Sequence, residues 1–339
     1  MGERKGRAVH HVAYQCYNPL SFPILTHDPI ASLLLSNLTS NPVAHSSKMR
    51  LIFDFDGTIT EKDTISTLAR AALTHQNDYH SVDLAGAWDD VVRAYVSDYK
   101  GYCESYEIPE TQRTTVDAEL AFLSGSGHVE LASLDRIARS GVFRQLESSH
   151  LFEMGKAAVG DGRIVVRDGF ADVIELAKVK GWTVGVISVN WSRAFIAGAL
   201  DGLVSPLSII ANDFAPDGSV LGPESLDSHP LTNGTGKLNV LEGDESLRHA
   251  GQGTGTTVYF GDSTTDMECL LRGGGAGNGG GVAIASDENG SNLISTLRRV
   301  SLPVPHVTAA ATNSDSGVYW ARNFREVIDS DALSRLGLN

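Results

Sequence analysis

The first sustained hydrophobic signal is Met49-Arg50-Leu51-Ile52-Phe53, a short apolar run of the kind that forms a buried strand. Before it, residues 1–48 are rich in Ser, Asn, His and Pro and hold neither a helical nor a strand period, so they are expected to be a disordered extension. After it, apolar positions recur at three- and four-residue intervals and predict helices over 63–74, 85–106, 112–123 and 129–154. From about residue 161 the pattern alternates. Phe170, Val173, Ile174 and Ala177 line one helix face that Gly181 stops, and Thr183 to Ile187 reads as a strand. A helix follows over 191–200, and Asp217-Gly218 marks a hairpin turn. Thr256 to Phe260 is the next strand, Asp266 to Arg272 a short helix, and Val282 to Ala285 a further strand.

Strands separated by helices imply an α/β fold with a doubly wound parallel sheet. The helical block then becomes an insertion behind the first strand. The expected organisation is a core of 49–60 plus 161–339, an inserted α-helical cap at 61–160, and the extension at 1–48. Two glycine signals do not change this picture. The run Gly273 to Gly281 contains a formal G-x-G-x-x-G at Gly275, Gly277 and Gly280, but it follows a helix and precedes a strand, the reverse of the order a dinucleotide site needs. It is read as a flexible loop. Gly236-Lys237 is followed by Leu238 and lacks the upstream glycine of a P-loop.

Composition narrows the classes of partner. The 339 residues are 42% hydrophobic, enough for a large α/β domain and a smaller one, and no apolar stretch is long enough to span a membrane. The expectation is a soluble, cytoplasmic protein with no membrane partner; basic residues near the start make a mitochondrial leader the rival reading. Cys16, Cys103 and Cys269 form neither a zinc pattern nor a redox pair and suit a reducing compartment. A formal net charge of −14 argues against a nucleic-acid partner. It would also repel an anionic substrate unless a bound cation and local positive groups collected it.

Four short segments answer that requirement. Asp54-Phe55-Asp56-Gly57-Thr58 ends the first strand, where ligands of open α/β sheets bind. Two acids one residue apart can divide labour, one attacking phosphorus and the other moving the proton. Val186-Ile187-Ser188, with Asn190 just beyond, ends another strand and offers a hydroxyl and amides to a phosphoryl oxygen. Lys237, in a Gly/Thr/Asn stretch, would neutralise the attacking carboxylate and the transferring group. Gly261-Asp262-Ser263-Thr264-Thr265-Asp266 follows the strand ending at Phe260 and adds two carboxylates suited to Mg2+. Asp54 and Asp262, with the Asp56 backbone carbonyl, would then collect the cation, and the cation and Lys237 the phosphate.

In this order the four segments resemble the haloacid dehalogenase superfamily, over roughly residues 49–290. A helical block just after the first motif resembles its phosphoserine phosphatase branch. The run Asp54 to Asp63 (DFDGTITEKD), then Arg167-Asp168-Gly169-Phe170, then GDSTTD, is similar to methionine-salvage phosphatases and to fungal proteins of unassigned substrate. The resemblance implies Asp54 as nucleophile, Asp56 as general acid/base, Ser188 and Lys237 as phosphate holders, Asp262 as metal ligand and Asp266 as its supporting carboxylate; the residue reading adds Asn190, beside Ser188, to the phosphate holders and Asp54 and Asp56 to the metal ligands. An acid at Asp56 favours phosphoryl transfer over dehalogenation. Gly57 stands where phosphoserine phosphatases usually carry Ser and Asp63 where they carry Glu, which points away from phosphoserine. Asp63 is a candidate substrate contact.

Within the insertion, Trp88, Val92, Tyr95, Tyr99, Tyr102 and Tyr106 share one helix face. Such a stripe is first of all a packing surface; Tyr95 and Tyr99 are the candidates for a second role, meeting substrate from a roof over the site. His75 and His80 are read as ordinary packing or surface residues. The expected activity is Mg2+-dependent hydrolysis of a small phosphorylated metabolite through an aspartyl-phosphate. A phosphotransferase or phosphomutase on the same motifs, and a catalytically idle binding or regulatory protein, are the alternatives.

Overall fold

The computed structural model describes residues 49–247, 256–273, 279–311 and 317–336. The extension over 1–48, with Cys16 and the import signal considered above, lies outside the described residues, as does the middle of the glycine-rich run, 274–278.

The chain enters as β1 (Met49–Phe53) and then runs through α1 (Ile65–His80), α2 (Ala85–Ser105), α3 (Val116–Gly125), α4 (Gly127–Ser140) and α5 (Ser148–Gly160). α6 (Phe170–Lys180) leads into β2 (Thr183–Ile187), and α7 (Arg193–Ala199) into β3 (Ile209–Ile210). The short strands β4 (Asp213–Phe214) and β5 (Val220–Leu221) pair antiparallel around the expected Asp217-Gly218 turn. α8 (Gly234–Gly243) precedes β6 (Thr256–Gly261), followed by α9 (Met267–Gly273) and β7 (Gly279–Ile284). α10 (Asn292–Arg299), β8 (Val318–Ala321), α11 (Phe324–Asp329) and α12 (Ala332–Leu336) complete the described chain.

Six strands form one sheet in the order β3-β2-β1-β6-β7-β8, every pair parallel. Its strands are buried on both faces, and the period of two deals their side chains between two hydrophobic layers. Leu51, Phe53, Val186, Val258 and Phe260 join one layer, and Ile52, Ile187 and Tyr259 the other. The winding reverses between β1 and β6, because the chain fills the β2 side first and returns to the β6 side. That reversal opens a crevice at the carboxyl ends of these two strands. Beneath it Phe53 stacks on Phe260 at 4.7 Å, with Phe170 and Phe324 edge-on at 5.3 and 5.6 Å, giving the strand ends a rigid base.

Several elements differ from the sequence expectation. The helix expected over 129–154 is two, because Gly141 at φ 75° ends α4 and the chain turns before α5. Gly279 to Gly281 belong to β7 rather than to a loop, paired with Thr257 to Tyr259. A side chain at Gly281 would meet the Leu270 carbonyl at 2.8 Å, so close helix packing there requires glycine.

The inserted helices are fastened to both layers. α5 lies so close to α7 that a Cβ at Gly155 would stand 2.1 Å from the Phe195 carbonyl oxygen. At the other end Glu119 of α3, which is buried, accepts from Arg299 of α10 at 2.9 Å and from Arg113 at 2.8 Å. Among the described residues, no helix is long and apolar enough to cross a membrane.

Candidate active site

Asp54 follows β1 directly, with its amide continuing the ladder to the Phe260 carbonyl at 2.8 Å. It is therefore held at a strand end inside the crevice and is almost fully buried. Asp262 leaves β6 beside it. The carboxylates of Asp54, Asp262 and Asp266 offer oxygens that all lie within 4.8 Å of one another.

Lys237 sits among them. Asn233 caps α8, its side chain accepting from the Gly236 amide at 2.9 Å, and the helix carries Lys237 inward to complete burial. Its Nζ donates to Oδ1 of Asp54 and to Oδ1 of Asp266, both at 2.7 Å. Burial disfavours the ammonium, but the two carboxylates outweigh it and raise the lysine pKa, so the group stays charged.

Asp266 is saturated by protein donors. Oδ1 also accepts from the Tyr259 hydroxyl at 2.8 Å, and Oδ2 accepts from the amides of Asp262 and Ser263 at 3.2 and 3.1 Å. It braces the 262–263 turn. By contrast Oδ2 of Asp54 and Oδ2 of Asp262 accept no hydrogen bond from the described residues, while Oδ1 of Asp262 accepts from the Thr58 hydroxyl at 3.1 Å. Burial and the neighbouring carboxylates push Asp262 well above the usual range, and Asp54 is pushed up to about 7, chiefly by burial, against the opposing pull of Lys237. Excess negative charge with two open hard oxygens is a donor set that fits a small divalent cation.

Asp56 points elsewhere. Oδ1 accepts from the Thr64 amide at 2.8 Å and the Thr64 hydroxyl at 2.6 Å, and Oδ2 accepts from the Asn190 side-chain amide at 2.8 Å. Burial raises its pKa, and these hydrogen bonds oppose the rise. With both oxygens so engaged, its carboxylate stands apart from the three that converge. Gly57 then turns the chain at φ 74°, and its missing side chain makes room for Asp262, since a Cβ there would lie 2.2 Å from Oδ2.

The other expected residues divide. Ser188 is buried at the end of β2, with its Oγ accepting from the Asn190 amide at 3.1 Å and its own proton given to no acceptor among the described residues. Asn190 was expected at the phosphate, but its NH2 serves Asp56 and Thr64 and its carbonyl accepts from the Ser192 amide at 3.2 Å. It orients the acid. Asp63 keeps contact with solvent while protein atoms crowd it, and burial together with the charges of Asp56 and Asp54 raises its pKa to about 8. Tyr95 spends its hydroxyl on Glu130 of α4 at 2.9 Å, and Tyr99 stacks on Tyr95 at 6.1 Å. Tyr102 packs on Phe122 and Trp88 against Trp191, so the stripe is largely a packing face. Thr58, Thr64, Arg167 and Tyr259 were not singled out from the sequence as site residues. Arg167 lies in a quoted motif, but nothing local to it indicates that its side chain reaches back to residues 57–60.

A doubly wound parallel sheet thus carries paired aspartates at one strand end, a buried lysine and a second acidic strand end in one place. The family model for haloacid dehalogenase-like hydrolases matches residues 51–271, and the chain belongs to that family. A CTO1 family protein of Schizosaccharomyces pombe is 31% identical over 241 residues, 66% of this chain and 78% of that protein. Among solved structures, a cytosolic 5'-nucleotidase IIIB bound to cytidine is similar at 12% identity and TM-score 0.50, covering 86% of each chain. A phosphoserine phosphohydrolase-like protein from Francisella tularensis aligns at 16% identity and TM-score 0.45, over 83% of this chain and 98% of that one.

Proposed function

We propose that the protein hydrolyses a small phosphate monoester with Mg2+, passing the phosphoryl group through Asp54. The observation that carries this reading is the convergence of Asp54, Asp262 and Asp266 within 4.8 Å at neighbouring strand ends, with Lys237 bridging Asp54 and Asp266.

In this reading one carboxylate oxygen of Asp54 attacks phosphorus while the other is left to the cation, and the Lys237 hydrogen bond to Oδ1 restrains how the carboxylate is presented. Asp56, its pKa raised and its orientation set by Thr64 and Asn190, gives its proton to the leaving oxygen as the P–O ester bond breaks. Water then loses a proton to Asp56 and attacks the same phosphorus, releasing inorganic phosphate and restoring Asp54. Ser188 and Lys237 provide donors for the phosphoryl oxygens. Asp54, the Asp56 carbonyl and Asp262 would hold Mg2+, which supplies positive charge that neutralises the phosphate and the crowded carboxylates.

The inserted helices act as a cap in this account, limiting the substrate to a small metabolite and shielding the phosphoenzyme from bulk water. In this reading Asp63 is a contact for the leaving group. The test is a panel of phosphate monoesters assayed with Mg2+ and with a chelator. Turnover of at least one small ester that the chelator abolishes supports the reading; metal-independent turnover, or none across a broad panel, refutes it.

A further inference from the structure

Arg167 stands just before α6, where residues 165–167 run beside 59–61. The Arg167 amide donates to the Ile59 carbonyl at 2.7 Å, and the Glu61 amide to the Val165 carbonyl at 3.0 Å. From there its guanidinium reaches back over the turn that follows Asp56. Nη2 donates to the Gly57 carbonyl at 2.5 Å and the Thr60 carbonyl at 3.1 Å, and Nε to the Thr58 carbonyl at 2.8 Å. Nη1 reaches the Arg322 carbonyl at 3.3 Å, beyond β8.

That turn has no regular ladder of its own. Asp56 (φ −69°, ψ 126°) and Gly57 (φ 74°, ψ −17°) leave helical geometry, so the carbonyls of Gly57, Thr58 and Thr60 converge on one side. A planar fork with five donors can satisfy three such acceptors at once, which a single ammonium cannot do. The consequence falls on the groups assigned to the cation. The Gly57 amide, in the peptide unit that carries the Asp56 carbonyl, is tied to the Thr60 hydroxyl at 3.1 Å, and Arg167 holds the carbonyl of the next peptide unit, so the chain on both sides of the Gly57 Cα is restrained. Thr58 is held by its carbonyl while its hydroxyl holds Asp262.

We propose that Arg167 is a positioning residue for the cation edge of the site, fastening the 57–60 turn so that the Asp56 carbonyl and the Asp262 carboxylate face one Mg2+ ion. The proposal rests on the Mg2+-dependent reading of the site and extends it to a residue that touches neither metal nor substrate. Outer groups that orient metal ligands change affinity by about 10–100-fold when removed.

The experiment measures Mg2+ binding to the substrate-free protein by titration calorimetry for wild type, Arg167→Ala and Arg167→Lys, with folding checked by near-UV circular dichroism. Arg167→Ala should weaken Mg2+ binding by about tenfold or more, and Arg167→Lys should recover only part of the loss. Low millimolar guanidinium should restore affinity to Arg167→Ala and leave Asp262→Asn unchanged. In turnover, the Mg2+ concentration for half-activation should rise while the substrate KM holds. A folded Arg167→Ala protein with wild-type Mg2+ affinity overturns the proposal. Should that variant fail to fold, wild-type affinity in Arg167→Lys overturns it equally. A wild-type protein that binds Mg2+ but turns over no ester refutes the catalytic reading alone, and the calorimetry still decides the role of Arg167.

Discussion

The side-chain amide of Asn190 donates to Oδ2 of Asp56 over 2.8 Å, joining the end of β2 to the turn after β1. With Thr64 on the other oxygen, this bond fixes the direction of the proton that Asp56 is proposed to give. Hydrogen bonds that favour the ionised carboxylate hold its pKa below what burial alone would set.

Asn190→Ala and Thr64→Val should therefore raise the Asp56 pKa further. The alkaline limb of kcat/KM, where Asp56 must remain protonated to assist departure, should move to higher pH, with lower activity at its maximum because the acid is less well aimed. The pH profile of each variant checks this; a limb that moves toward acid contradicts it.

Lys237 is the sole charged partner that the described residues provide to Asp54, and Asp266 shares it. Lys237→Met leaves two buried carboxylates facing each other. Breaking such a pair from one side costs about 3–5 kcal/mol, so a large fall in the denaturation midpoint is expected. Because the loss is electrostatic, Mg2+ should recover part of it. Urea denaturation with and without Mg2+ measures both effects.

The same crowding makes metal-free stability depend on pH. Burial pushes Asp54 up to about 7 in the folded protein, against roughly 3.9 for an ordinary Asp in the unfolded chain. Between these values the folded state binds more protons than the unfolded one, so this group lowers stability as pH rises from about 4 to about 7. Mg2+ favours the ionised carboxylates, so its stabilising effect should grow over the upper part of that window. Thermal melts at about pH 6 and about pH 8, each with Mg2+ and with chelator, test the sign. A Mg2+-induced shift that shrinks with rising pH contradicts it.

Much of this site could be read from the chain before its fold was known, for a definable reason. Asp54, Asp56, Asp262 and Asp266 lie within a few residues of strand ends that announce themselves as apolar runs, Leu51 to Phe53 and Thr256 to Phe260. Their neighbours in sequence are also their neighbours in the crevice. The helix bearing Lys237 was hidden, because Gly234-Thr235-Gly236 reads as a loop until the Asn233 cap is seen. The break at Gly141 was masked by a helical period that resumes in α5. Ser188 and Asn190 are two apart at one strand end, and only the fold shows that the Asn190 amide turns to Asp56. Arg167 was the least legible. Its bonds go to backbone carbonyls more than a hundred residues away along the chain, and carbonyls leave no mark in sequence.

The most direct test of the central claim is a rapid-quench measurement of phosphate bound covalently to the enzyme during turnover of an active ester. The account predicts Mg2+-dependent, hydroxylamine-labile label approaching one per chain, on the peptide that contains Asp54. It also predicts loss of both label and turnover, by about a thousandfold or more, in a folded Asp54→Asn protein. Turnover that survives in that variant, or label on any other residue, contradicts it.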